Sequence, residues 1–215
     1  MKSLQFVLLL SFSLLFVACD NNEDPNPEEE LFDEEQPECA TVTFEFVPGG
    51  DIVEGLAINS QFEELLNITF ELENGNDPVI AETGAPSTAF EPNDNPESGQ
   101  GVGSFFLTDD GLITEDASPL IVTFSVPVDS ASGLVLDIDG GETFTIQAFD
   151  VADNLLEESV ITDGDPGTGS RQATPWWFSR EAPDVASIRF SGVRPSGIFG
   201  LGFDNFTTCA PARLP

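Results

Sequence analysis

Between residues 39 and 209 the apolar positions recur every second residue, the mark of strands with one buried and one exposed face. Residues 41–47 (TVTFEFV) alternate with Val42, Phe44 and Phe46 on one side. Residues 67–73 (NITFELE) repeat the pattern with Ile68, Phe70 and Leu72. Further runs follow at 103–108, 120–126, 133–138, 143–149, 155–161, 186–191 and 200–207. Turn-forming clusters separate them: Pro48-Gly49-Gly50, Asn74-Gly75-Asn76-Asp77-Pro78, Asp109-Asp110-Gly111 and Asp139-Gly140-Gly141. The last cluster reads as a tight hairpin joining 133–138 to 143–149. Residues 54–66 are the one stretch that suits a short helix. Many short strands with Gly, Pro and Asp turns predict an all-β fold, an antiparallel β-sandwich with at most one short helix. Two long polar loops, 91–103 and 162–170, lie where a rigid sandwich would carry a binding site.

The N-terminus follows another pattern. Residues 1–18 (MKSLQFVLLLSFSLLFVA) hold one positive charge, an apolar run and a small residue before Cys19, which reads as a secretory signal. Phe16-Val17-Ala18-Cys19 resembles the lipobox of bacterial lipoproteins, with Phe16 where Leu is usual. The resemblance implies that Cys19 is lipidated and anchors the chain to a membrane; the alternative is an ordinary cleaved signal with Cys19 free. Ten of the 19 residues from 20 to 38 are Asp or Glu and three are Pro, a composition that predicts a self-repelling, unstructured tether. Acidic residues directly after a lipidated Cys resemble the signal for export to the outer face of the outer membrane, so surface display is expected, with a periplasm-facing anchor as the alternative. The domain organisation predicted is signal 1–18, tether 19–38, sandwich 39–209 and tail 210–215.

Export bears on the remaining cysteines. Cys39 and Cys209 bracket the alternating region, and in an oxidising compartment an even pair reads as a disulfide. It would close a long loop, for which chain entropy assigns roughly 5 kcal/mol, and it would require the first and last strands to lie side by side. Two buried free thiols are the alternative.

Charge narrows the function. The chain has 39 acidic and 6 basic residues, a net charge of −33, and no His. Its one Lys, Lys2, lies in the signal. Those absences exclude His-dependent triads and zinc sites as well as Lys-based Schiff-base chemistry. So acidic a protein should repel nucleic acid and anionic headgroups. All five Arg fall in 171–215 and 36 of the acids in 20–170. Arg180 and Arg189 are therefore expected to reach carboxylates of earlier strands. The excess of acid serves solubility, or in part the binding of a divalent cation.

Three segments carry a family resemblance: 103–111 (GSFFLTDDG), 133–150 (GLVLDIDGGETFTIQAFD) and 198–207 (IFGLGFDNFT). Together they resemble a poorly characterised lectin-like jelly-roll module of exported bacterial proteins, which ends on a strand like Phe203-Asp204-Asn205-Phe206. The resemblance implies a jelly-roll sandwich across 41–208. It also implies a structural Ca²⁺ where first and last strands meet, held by Glu45 and Asp204 with Asn205 or backbone carbonyls completing the six to eight oxygens. Many modules of this kind carry a C-terminal sorting helix, and the end at Pro215 fits anchoring from the N-terminus instead. Asp94, Asn95, Asp109 and Asp110 are lesser metal candidates.

Trp176 and Trp177 are the only tryptophans. Adjacent residues of an extended segment face opposite ways, so at most one indole can be core and the other, taken as Trp177, is exposed or half-exposed. An outward Trp beside polar residues and Arg180 is how a sugar face is stacked; the bland alternative is an indole packed under the 162–170 loop or against the acidic tether. Two-acid glycoside hydrolysis is the one catalysis this composition permits, and no short motif marks it. The expectation is a non-catalytic module binding a polysaccharide, or alternatively another surface protein.

Overall fold

The structure, a computed structural model, describes residues 38–84, 96–110, 116–162, 172–195, 199–200 and 202–210. The signal, the tether up to residue 37, Asp94 and Asn95, most of the 162–170 loop and residues 211–215 lie outside them. The described strands are β1 (Glu38–Val42), β2 (Ile68–Leu72), β3 (Val79–Glu82), β4 (Phe105–Thr108), β5 (Leu120–Val128), β6 (Ser130–Leu136), β7 (Thr143–Phe149), β8 (Leu155–Ile161), β9 (Ala173–Ser179), β10 (Val185–Val193) and β11 (Gly202–Ala210). One helical turn, α1 (Glu63–Leu66), accompanies them. It is a fraction of the 54–66 stretch expected, and Asn67 in the left-handed region (φ 60°) ends it.

The strands form two antiparallel sheets, as the alternation predicts. One has the order β3-β4-β11-β6-β9 with β1 also paired to β11, and the other β2-β5-β10-β7-β8. The chain mostly changes sheet from one strand to the next, so few neighbours in sequence pair. This corrects the expected hairpin at Asp139-Gly140-Gly141. The strands it joins, β6 and β7, belong to different sheets, and the turn carries the chain over the end of the sandwich. Buried carboxylates stiffen it: the Asp139 N–H donates to Glu142 Oε2 (2.8 Å), and Arg194 lies 3.4 Å from both Asp139 Oδ2 and Glu142 Oε1. The tight hairpin is instead β7–β8. There Asp150 Oδ1 accepts from the Ala152 and Asn154 N–H groups (2.8 Å each), and Asp153 takes φ 62°. The Asn154 bonds hold the Asp150 carboxyl below its ordinary range.

β1 is also shorter than the 41–47 alternation suggests. Phe44 adopts φ 54°, which leaves the extended region. The ring of Phe44 enters the core, Phe46 becomes 65% exposed and Val47 is buried in its place.

The inward faces meet in an aromatic core. Phe206 lies at its centre, with ring centroids 5.5 Å from Phe70, 5.6 Å from Trp176 and Phe190, and 6.1 Å from Phe203. Most of these contacts are edge-to-face, the preferred arrangement for aromatic pairs. A second, smaller cluster of Ala81, Phe106 and Leu136 sits on the outer side of the six-stranded sheet, covered by Val102. The Cys39–Cys209 disulfide is present, its Cα atoms 4.1 Å apart across directly paired positions of β1 and β11. Of the two Arg expected to reach earlier carboxylates, Arg189 does, pairing with Glu73 at 2.6 Å.

Close packing makes Gly192 sensitive. A Cβ there would lie 1.8 Å from Cζ of the buried Phe199 ring, so the ring would have to move. Gly192→Ala should cost about 1–3 kcal/mol in a denaturant melt. Gly50→Ala, with open space around its Cβ position, should stay within about 0.5 kcal/mol.

Candidate functional site

β9 resolves the tryptophan pair. Trp176 and Phe178 face the core, and Trp177 between them is 72% exposed. Trp176 therefore cannot stack a ligand: it is 3% exposed and pressed against Phe190, with centroids 5.0 Å apart. Its indole N–H is buried without an acceptor, over Gly133, where a Cβ would approach the ring to 3.1 Å. Trp177 lies at the rim of a shallow depression between edge strands β8 and β9, lined by Ile146, Ala148, Glu157, Ser159 and Phe178 beside it.

Arg180 is not free to join Trp177 in a site. Its guanidinium is forked onto Asp184, at 2.5 Å through Nε and 2.9 Å through Nη2. That bond raises the Arg180 pKa and holds the Asp184 carboxyl below its ordinary value. Arg180 thus clips the turn after β9 rather than crossing to an earlier strand.

The outer face of the six-stranded sheet carries a feature that sequence reasoning missed. Trp177 pairs in register with Ser132, Ser132 with Thr207, and Thr207 with Thr41. The row crosses four strands, and the Thr41 and Thr207 hydroxyls bond at 2.7 Å. Its signal in the sequence was small hydroxyl residues on strands of an otherwise acid-rich chain.

Glu45, Asp204 and Asn205 come together beside this row, where the 101–105 segment crosses β11. Asp204 is fully buried; its Oδ2 accepts from the Gly103 N–H (3.2 Å) and its Oδ1 from the Asn205 N–H (2.7 Å). Glu45 Oε1 accepts from the Phe105 N–H (2.9 Å), and Asn205 Nδ2 donates to Gly101 O (2.7 Å). Glu45 packs so closely on Gly103 that a Cβ would meet Oε1 at 2.0 Å. Burial pushes the Asp204 carboxyl up to about 7, and the nearby Glu45 charge adds to the rise against two N–H bonds that oppose it. No ion pair among the described residues reaches either carboxylate. Two neighbouring carboxyl groups and an amide offer the oxygen ligands that a hard cation such as Ca²⁺ takes. The side chains are too few to hold one alone: no group of three or more His, Cys, Asp or Glu converges among the described residues, so backbone carbonyls would have to contribute. Asp109 is buried near the end of β4 and Asp110 accepts from Asn74 and Asn76 side chains, so neither adds to this group.

No family model matches the chain, and no curated protein matches it. Among solved structures it is similar to a DUF4465 family protein from Bacteroides caccae ATCC 43185, at 14% identity over 80% of this chain and 98% of that one, with a TM-score of 0.45. It is similar to the K2 cleaved adhesin domain of Lys-gingipain at 10% identity, 80% and 99% coverage and a TM-score of 0.45. The C-terminal family 22 carbohydrate binding module of Clostridium thermocellum Xyn10B matches at 9% identity, 77% and 100% coverage and a TM-score of 0.34. Likenesses this loose carry no function to the chain.

The buried carboxylate has a consequence in pH. A native pKa of about 7 against 3.8 in the unfolded chain means the folded state holds this proton more tightly. The group's penalty is absent below about pH 4 and complete above about pH 7, at most on the order of 4 kcal/mol. In metal-free buffer, stability should therefore fall as pH rises from 4 to 7.5. Asp204→Asn should flatten that slope; an unchanged slope in urea melts would assign it to the overall charge.

Proposed function

We propose that the chain is a non-catalytic binding module, lipid-anchored through Cys19, displayed from the outer membrane and contacting a polysaccharide through Trp177. The observation that carries the reading is the exposure of Trp177, held on a rigid strand by core neighbours on either side. Leaving a large aromatic in water forfeits about 1.5–3 kcal/mol of burial, which a stacked pyranose face recovers. The depression at Trp177 holds a single carboxylate, Glu157, among its lining residues, whereas two-acid hydrolysis needs a facing pair.

Calcium belongs to the same proposal as a structural ion. Bound by Glu45 and Asp204, it would relieve their mutual repulsion and tie the 101–105 segment to β11, bordering the Trp177 face.

A second reading, a surface protein as partner, is favoured by edge strand β8, where Leu155 and Val160 are each about half exposed. Unpaired strand edges invite pairing with another chain.

Retention of the intact chain on immobilised polysaccharides should be lost in Trp177→Ala and kept in Leu155→Ser. The reverse pattern would move the sugar contact from Trp177 to β8, and retention on no polysaccharide would favour the protein partner. At fixed ionic strength, which separates binding from screening of the net charge, Ca²⁺ should raise the melting temperature of the wild type and leave Asp204→Asn unmoved. Equal melts with Ca²⁺ and with EDTA would remove the ion from the account.

A further inference from the structure

The two outer faces of the sandwich differ in charge. Across the five-stranded sheet the paired positions run Glu71, Ile121, Arg189, Gln147 and Glu158. Across the six-stranded sheet they run Trp177, Ser132, Thr207 and Thr41, and the next row runs Ser179, Ser130, Cys209 and Cys39. Those eight positions hold no charged residue, in a chain with 39 acids. The row beyond, Pro175, Leu134 and Asp204, meets the segment that carries Val102, which borders the open area on that side.

Resting on the Trp177 reading, we propose that this neutral area is a platform for an uncharged polysaccharide chain laid across the strands. Strands lie about 4.8 Å apart, so the row from Trp177 to Thr41 extends roughly 14 Å. That is room for a short run of sugars with the indole at one end. Each Ser or Thr hydroxyl can donate and accept, matching the mixed character of sugar hydroxyls. None of the eight paired positions is a carboxylate for a neutral ligand to desolvate, and Asp129, which accepts from the Ser130 hydroxyl, and Glu45 border them. A uronate or sulfated chain would instead meet the field of a protein carrying a net charge of −33.

The test is affinity electrophoresis of the intact chain at low salt through neutral β-glucan, xylan, mannan and galactan, each beside its carboxymethylated form. At least one neutral polymer should retard it, and the carboxymethylated form of that polymer should bind at least about tenfold more weakly. Ser132→Glu, a charge in mid-row, should weaken retention about tenfold or more, and Thr123→Glu on the other outer face should not change it. Should Ser132→Glu fail to fold by near-UV circular dichroism, the exposed Thr41→Glu takes its place. Loss in Trp177→Ala with no effect of either row variant, or equal binding of neutral and carboxymethylated polymers, would overturn the platform and leave the Trp177 site standing. Retention untouched by Trp177→Ala, or none on any polymer, would overturn both.

Discussion

The bulge in β11 fixes where everything else can point. Between Asp204 and Thr207 the register against β6 slips, and Asn205 takes φ 56° to absorb the extra residue. A regular strand would place 204 and 207 on opposite faces. With the bulge, Asp204 and Thr207 both stand on the outer side, opposite Leu134 and Ser132, while Phe203 and Phe206 both turn into the core. One irregular residue thus centres the aromatic core on Phe206, delivers Thr207 to the hydroxyl row and buries a carboxylate under the 101–105 segment. β11 is also the most connected strand, bound to β1, β4 and β6, and the disulfide holds its end to β1.

Charge placement follows from this frame. The described Arg residues are each paired with a carboxylate of the chain: Arg180 with Asp184, Arg189 with Glu73 and Arg194 with the buried pair Asp139 and Glu142. The exposed pair at Arg189 contributes little, since exposed ion pairs are worth at most about 1 kcal/mol. Arg194 matters more, because its partners Asp139 and Glu142 are buried, where removing one member of a charge pair costs more than at the surface. Two rows of outward positions on the six-stranded sheet hold no charged residue.

Much of the fold was legible in sequence. β7 and β8 begin and end where the alternation does, and export logic pairs Cys39 with Cys209. What failed was local evidence for non-local facts. Asp139-Gly140-Gly141 has hairpin chemistry, yet whether a turn returns to its own sheet or crosses to the other depends on the strand partners. β3 was missed because four residues after Pro78 carry too little periodicity. Phe44 and Phe46 share a parity, and only a left-handed residue separates their fates. At the site, alternation told that one Trp must turn out, but the hydroxyl row is assembled from four strands far apart in sequence. Arg180 looked available only because its partner lies four residues on, past the end of the strand.

The most direct test of the neutral face is a chemical-shift map of the intact chain, labelled with ¹⁵N, titrated with a short oligosaccharide of whichever neutral polymer retains it. The account predicts that the Trp177 indole N–H and the backbone amides of Ser132, Thr207 and Thr41 move together, with one saturation curve. Shifts gathered instead around Glu71, Arg189 and Glu158 would place binding on the other sheet and contradict it.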